Sequence, residues 1–208
     1  MRVRWGLMAA VAVMTAPLMA CAPDAPPTAI FLGDSDTAGV ALPVDQIDNR
    51  WPTLVSQHFG WREVNAGCDG SGYTQMGPGC ATTYRERVDR LLDEDPDVIV
   101  VSGGVSDLGA SLGEIEAAVQ GTFVTLRETF PDATIYAVGA VGTDRHSVHS
   151  VADLNRIVET QSAKVDAVYV DLGDPLADRP ELLAVDGSPN AEGHAVIAEL
   201  TSNVIGDA

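Results

Sequence analysis

The stretch Ala29-Ile30-Phe31-Leu32-Gly33-Asp34-Ser35-Asp36-Thr37-Ala38-Gly39 opens on four apolar residues and closes on a serine set between two glycines. A short apolar run bounded by a turn signal reads as a buried strand, and the glycine lets the chain turn sharply at its end. Working outward, the alternation repeats. Residues 49–59 read as an amphipathic helix, 61–66 as a strand and 82–93 as a helix. Val98-Ile99-Val100-Val101 is an unbroken β-branched strand of the kind buried on both faces. Helix, strand, helix, strand and helix follow over 115–130, 134–141, 151–165, 167–172 and 191–205. This spacing predicts a three-layer α/β/α sandwich on five parallel strands with right-handed crossovers. In such sheets ligands bind beyond the carboxyl ends of the strands, so the residues just after each strand are where chemistry is to be sought.

The chain has 208 residues, 46% hydrophobic and 20% charged, which is the composition of one globular domain. Its formal net charge of -18, with Lys164 as its single lysine, excludes a nucleic-acid partner, because phosphate binding needs clustered Lys and Arg. Residues 1–20 combine Arg2 and Arg4, an apolar stretch from Leu7 to Leu18 and small residues before Cys21, the pattern of a signal peptide. Pro17 and the shortness of the run argue against a membrane-spanning helix. Leu18-Met19-Ala20-Cys21 resembles the bacterial lipobox, which implies acylation of Cys21, a Pro-rich tether over 21–28 and a domain over 29–208. The expected location is extracytoplasmic, with the membrane contacted only through the lipid anchor. In that oxidising setting Cys68 and Cys80, which flank a Gly-rich loop, are expected to form a disulfide.

Four segments stand just past predicted strands, in order. They are Gly33-Asp34-Ser35-Asp36-Thr37-Ala38-Gly39, then Asn65-Ala66-Gly67-Cys68-Asp69-Gly70, Gly103-Gly104-Val105-Ser106-Asp107 and Asp186-Gly187-Ser188-Pro189-Asn190. Together they resemble the four blocks of the SGNH (GDSL-type) serine ester hydrolase family, whose fold is flavodoxin-like. The resemblance implies Ser35 as nucleophile, Asp186 as the acid of the triad and the Gly70 N–H as one oxyanion donor. Ser106 stands where the family has its asparagine, the other donor. The family's catalytic histidine, expected between Ser188 and Pro189, is absent: Asp186-Gly187 and Pro189-Asn190 both fit, with one residue too few between them.

A serine hydroxyl needs a base to take its proton. His146 and His149 follow the fourth strand and so lie at the correct end of the sheet, which makes them candidate surrogate bases. His194, in the first turns of the last helix, is a weaker candidate with packing as the simpler role. His58 ends the first helix, where a cation suits the helix dipole. Asp34, Asp36, Asp69 and Asp107 lack the alternating spacing of a calcium loop and read as turn and cap residues, so neither metal nor cofactor is expected. The expected activity is hydrolysis of a small carboxylic ester, acyl or acetyl, on a glycan or lipid, weakened by the altered triad. The alternative is a non-catalytic surface lipoprotein that binds a glycan or acyl ligand in the same cleft.

Overall fold

The computed structural model describes residues 25–142 and 148–207. Strands β1 (Thr28–Gly33), β2 (Arg62–Gly67), β3 (Val98–Ser102), β4 (Thr134–Val138) and β5 (Val168–Val170) form one sheet in the order β2-β1-β3-β4-β5. Every neighbouring pair is parallel, as the sequence predicts. Between and after the strands come α1 (Ser35–Ala38), α2 (Trp51–Phe59), α3 (Tyr84–Val88), α4 (Leu112–Thr129), α5 (Val151–Ser162) and α6 (Ala191–Gly206).

Side chains alternate between the faces of a strand, and β1 shows what that does for the core. Ile30 and Leu32 join Ile99, Val101 and Ile135 beneath α3, α4 and α5, whereas Ala29 and Phe31 join Val98 and Val100 beneath α2 and α6. Phe31 meets Trp51 of α2 edge-on, with ring centres 5.4 Å apart. Fully burying a side chain of this size contributes about 1.5–3 kcal/mol. Helix starts are closed locally: Thr83 with Glu86, Ser111 with Glu114 and Ser150 with Asp153 form reciprocal caps on α3, α4 and α5.

Two elements are shorter than their apolar patterns suggest. The run expected as a strand to Val141 leaves the ladder after Val138, because the Asn155 side chain takes over the backbone of Ala140, donating to its carbonyl (3.0 Å) and accepting from its N–H (2.8 Å). The helix expected over 82–93 is regular only to Val88 and tightens into a 3-10 turn over Asp89–Leu91.

β1 lies between β2 and β3, so the chain moves to one side after β1 and to the other after β2. The loops that follow β1 and β3 therefore part at the carboxyl end of the sheet and leave a crevice there. β1 itself runs from Thr28 at the amino end of the sheet to Gly33 at that crevice. No helix among the described residues is long and apolar enough to cross a membrane. Cys21, the leader before it and His146 lie outside the described residues.

Candidate active site

The turn after β1 is organised by Asp34. Its carboxylate accepts the N–H of Asp36 (3.1 Å), which caps α1, and the N–H of Gly104 (3.0 Å), which ties this loop to the one after β3. A Cβ on Gly103 would overlap that carboxylate, and the φ of +92° there suits glycine. Burial raises the Asp34 carboxyl above the ordinary carboxylate range, against the pull of the N–H groups that bond it. Ser35 is thereby set at the first position of α1, half-buried at the crevice.

The Ser35 hydroxyl donates to Asp69 Oδ1 at 2.7 Å and accepts from the Gly70 N–H at 3.0 Å. Gly70 turns its N–H toward the serine with a φ of +66°. The loop that carries this pair is held from several sides. The Cys68 N–H donates to the Gly33 carbonyl (3.0 Å), and the Ser71 hydroxyl bonds the Cys68 carbonyl (2.8 Å). Cys68 is bridged to Cys80, as the sequence predicts. Buried Asp107 accepts the N–H groups of Tyr73 (2.7 Å), Thr74 (2.9 Å) and Gln75 (3.0 Å) and the Thr74 hydroxyl (2.6 Å). From α3 the buried Arg87 guanidinium donates to the carbonyls of Gly33 (2.8 Å) and Ala66 and to the Ser71 hydroxyl (2.6 Å).

Beside Ser35 opens a cavity of about 270 Å³ walled in part by Asp36, Ser106, Asp186, Ser188 and Pro189. Of the four site residues that the family blocks imply, Ser35, Ser106 and Asp186 thus share one cavity, and the fourth, Gly70, bonds the serine through its N–H. Asp186 is exposed, and its Oδ1 accepts the Ser188 N–H (3.0 Å). Burial first, then the charges of Asp34 and Asp186, push the Asp36 carboxyl well above its usual range. The segment that lacks the histidine is a closed turn. Ala184 donates to the Ser188 carbonyl (2.8 Å), Gly187 to that of Ala184 (3.0 Å), and Leu183 bridges Pro189.

No histidine among the described residues lines this cavity. His149 is half-buried, and its N–H donates to the Leu108 carbonyl (3.2 Å). The candidacy of His194 as a surrogate base is corrected: the residue is 1% exposed in the core, its Nδ1 accepts the Trp51 N–H (3.3 Å), and burial lowers its pKa to about 4. It is a neutral packing residue between α2 and α6.

Three further residues shape the site. Asp69 and Asp107 have the sequence setting of turn and cap residues, yet one meets the serine and the other anchors the loop beside it. Arg87 carried a legible signal, since Tyr84, Arg87 and Val88 fall on one buried helical stripe, which puts a charge among core residues.

Residues 31–196 match the GDSL-like Lipase/Acylhydrolase family, and the chain belongs to it. A comparison with curated proteins finds no match. Among solved structures, a carbohydrate esterase family 2 enzyme of Corynascus thermopiles (Myceliophthora fergusii) with its carbohydrate-binding domain superimposes with a TM-score of 0.72 at 15% identity, covering 91% of this chain and 68% of that one. TesA gives 0.70 at 17% identity, covering 86% and 97%. AlinE4, an SGNH-hydrolase family esterase, gives 0.63 at 23%, covering 89% and 98%. At these identities the likeness is one of fold, and the α/β architecture is that of SGNH hydrolases.

Proposed function

We propose that this chain hydrolyses small carboxylic esters, acyl or acetyl groups carried by a glycan or lipid, with Ser35 as nucleophile. The observation that supports this reading is the Gly70 N–H held 3.0 Å from Ser35 Oγ, at the mouth of a cavity that could seat an acyl ester. As Oγ attacks the carbonyl carbon, negative charge develops on the carbonyl oxygen. The Gly70 N–H is placed to move onto that oxygen, and the Ser106 hydroxyl in the same wall is the second candidate donor. With no imidazole between Asp186 and Ser35 among the described residues, turnover is expected to be slow, since removing one member of a triad costs about 10⁴ to 10⁶ in rate. Action outside the cytoplasm from a lipid anchor at Cys21 belongs to the same reading and rests on the leader pattern of residues 1–20 alone.

The test is p-nitrophenyl acetate hydrolysis by the domain, with Ser35→Ala as control. Wild type should turn over slowly and in a Ser35-dependent way. A histidine inserted between Ser188 and Pro189 should raise the rate by about 10²-fold or more, and adding Ser106→Asn by roughly a further ten- to thousand-fold. The insertion opens the hydrogen-bonded turn over 184–188, so circular dichroism must show each variant folded. Variants that fold and stay inert would favour the second reading, a non-catalytic protein that binds a glycan or acyl ligand in this cleft. The cavity's lack of a described histidine is what keeps that reading open.

A further inference from the structure

We propose that Asp69 is the base that accepts the Ser35 proton, a Ser–Asp pair standing in for the absent histidine; this rests on the hydrolase reading above. Among the described residues, Asp69 is the one side chain that accepts the Ser35 hydroxyl, and the 2.7 Å separation is that of a strong O–H···O⁻ contact. The other carboxylates near the serine are committed elsewhere or lack this contact. Asp34 holds the N–H groups of Gly104 and Asp36, Asp186 holds the N–H of Ser188, and Asp36 makes no hydrogen bond to Ser35.

The position of Asp69 is built into the fold. Cys68 before it is fixed twice, by its disulfide to Cys80 and by its N–H on the Gly33 carbonyl one residue from the turn that presents Ser35. Ser71 after Gly70 is gripped by Arg87, and a Cβ on Gly77 would overlap the Asp69 carbonyl, so the loop closes tightly over that peptide. One dipeptide thus offers both functions: the Asp69 carboxylate takes the proton, and the Gly70 N–H faces the charge that develops on the substrate.

The proton balance closes over two half-reactions. As Ser35 Oγ bonds the ester carbon, its proton passes to Asp69 Oδ1 and the carbonyl π electrons move to oxygen. Collapse of that tetrahedral adduct breaks the bond to the alcohol, which leaves with the proton from Asp69. Water then attacks the acyl-serine, gives its proton to Asp69, and the second collapse returns that proton to Ser35 Oγ as the carboxylic acid departs. No co-reactant beyond ester and water is needed.

The experiment measures two readouts on wild type, Asp69→Asn, Asp69→Glu and Ser35→Ala: p-nitrophenyl acetate turnover, and labelling of Ser35 by an alkyl fluorophosphonate, which reports nucleophile activation without requiring deacylation. Asp69→Asn should keep its melting temperature and lose about 10²-fold or more in both readouts, the usual worth of a positioned base, and Asp69→Glu should recover part of it. Full labelling and turnover in Asp69→Asn overturns the role of Asp69 while leaving the hydrolase reading intact. Asp69-dependent labelling without ester turnover supports Asp69 and overturns the hydrolase reading. Absence of both labelling and turnover in folded wild type overturns both.

Discussion

Arg87 reaches beneath the carboxyl ends of β1 and β2, where its guanidinium joins Gly33, Ala66 and Ser71 in one knot. Among the described residues it makes no ion pair; its charge is spread over carbonyl dipoles and the Tyr84 ring, whose centre lies 5.5 Å from the guanidinium carbon. Removing it takes several donors from buried acceptors at once, so Arg87→Met should destabilise the domain by about 2–4 kcal/mol in urea titrations. Arg87→Lys should recover little of this, because a point-like ammonium cannot span three acceptors as a planar fork does. If the domain hydrolyses esters through Ser35 as proposed, turnover should fall in the same variants at temperatures where they remain folded, since Gly33 precedes the turn that carries Ser35 and Ser71 follows Gly70. Wild-type stability in Arg87→Met would refute the account.

Helices α2 and α6 meet at His194, and the contact answers a local need. The first N–H groups of a helix have no partner within it, and α2 has no side-chain cap from Arg50; the Nδ1 of His194 in α6 accepts the Trp51 N–H instead. Burial holds that imidazole at a pKa of about 4, whereas in the unfolded chain it titrates near 6.5. Between those values the unfolded chain binds a proton that the folded chain refuses, so this contribution is fully present above about 6.5 and is lost as pH falls toward 4. Its size is up to about 3 kcal/mol. His194→Gln does not titrate, so its stability difference from wild type should shift in the mutant's favour between pH 7 and pH 4.5 in paired denaturation curves; a difference that stays constant would sink the assignment. The elements themselves were legible because apolar periodicity reports burial, and β1, β3 and α4 lie where their patterns put them. The ends of β4 and α3 were not: at β4 the Asn155 side chain takes the backbone of Ala140, and α3 tightens into a 3-10 turn that its apolar pattern does not distinguish from helix. The blocks located Ser35, Ser106, Gly70 and Asp186, whereas the Ser35–Asp69 contact joins residues 34 apart in sequence and becomes visible only when the loops close.

Over the whole molecule the acidity seen in the sequence gathers where chemistry is proposed. Asp34, Asp36 and Asp186 line the cavity and Asp69 adjoins it, on a chain with a net charge of -18. The strong negative charge of the chain repels anions that approach the cleft over roughly a Debye length, about 10 Å at 0.1 M salt. If the domain turns over esters, kcat/KM for the acetyl ester should exceed that for an otherwise similar succinyl ester, and the gap should narrow as salt is raised from 20 mM to 500 mM. Equal rates at low salt would show that the field does not reach the substrate. The direction of β1 has a further consequence. Because Thr28 opens β1 and Ser35 follows its far end, with roughly 17 Å of strand between Thr28 and Gly33, whatever grips the chain ahead of Thr28 grips the domain from behind. A surface that holds this protein by its leading residues would find the mouth of the cleft turned outward, toward esters arriving from beyond rather than those embedded beneath it.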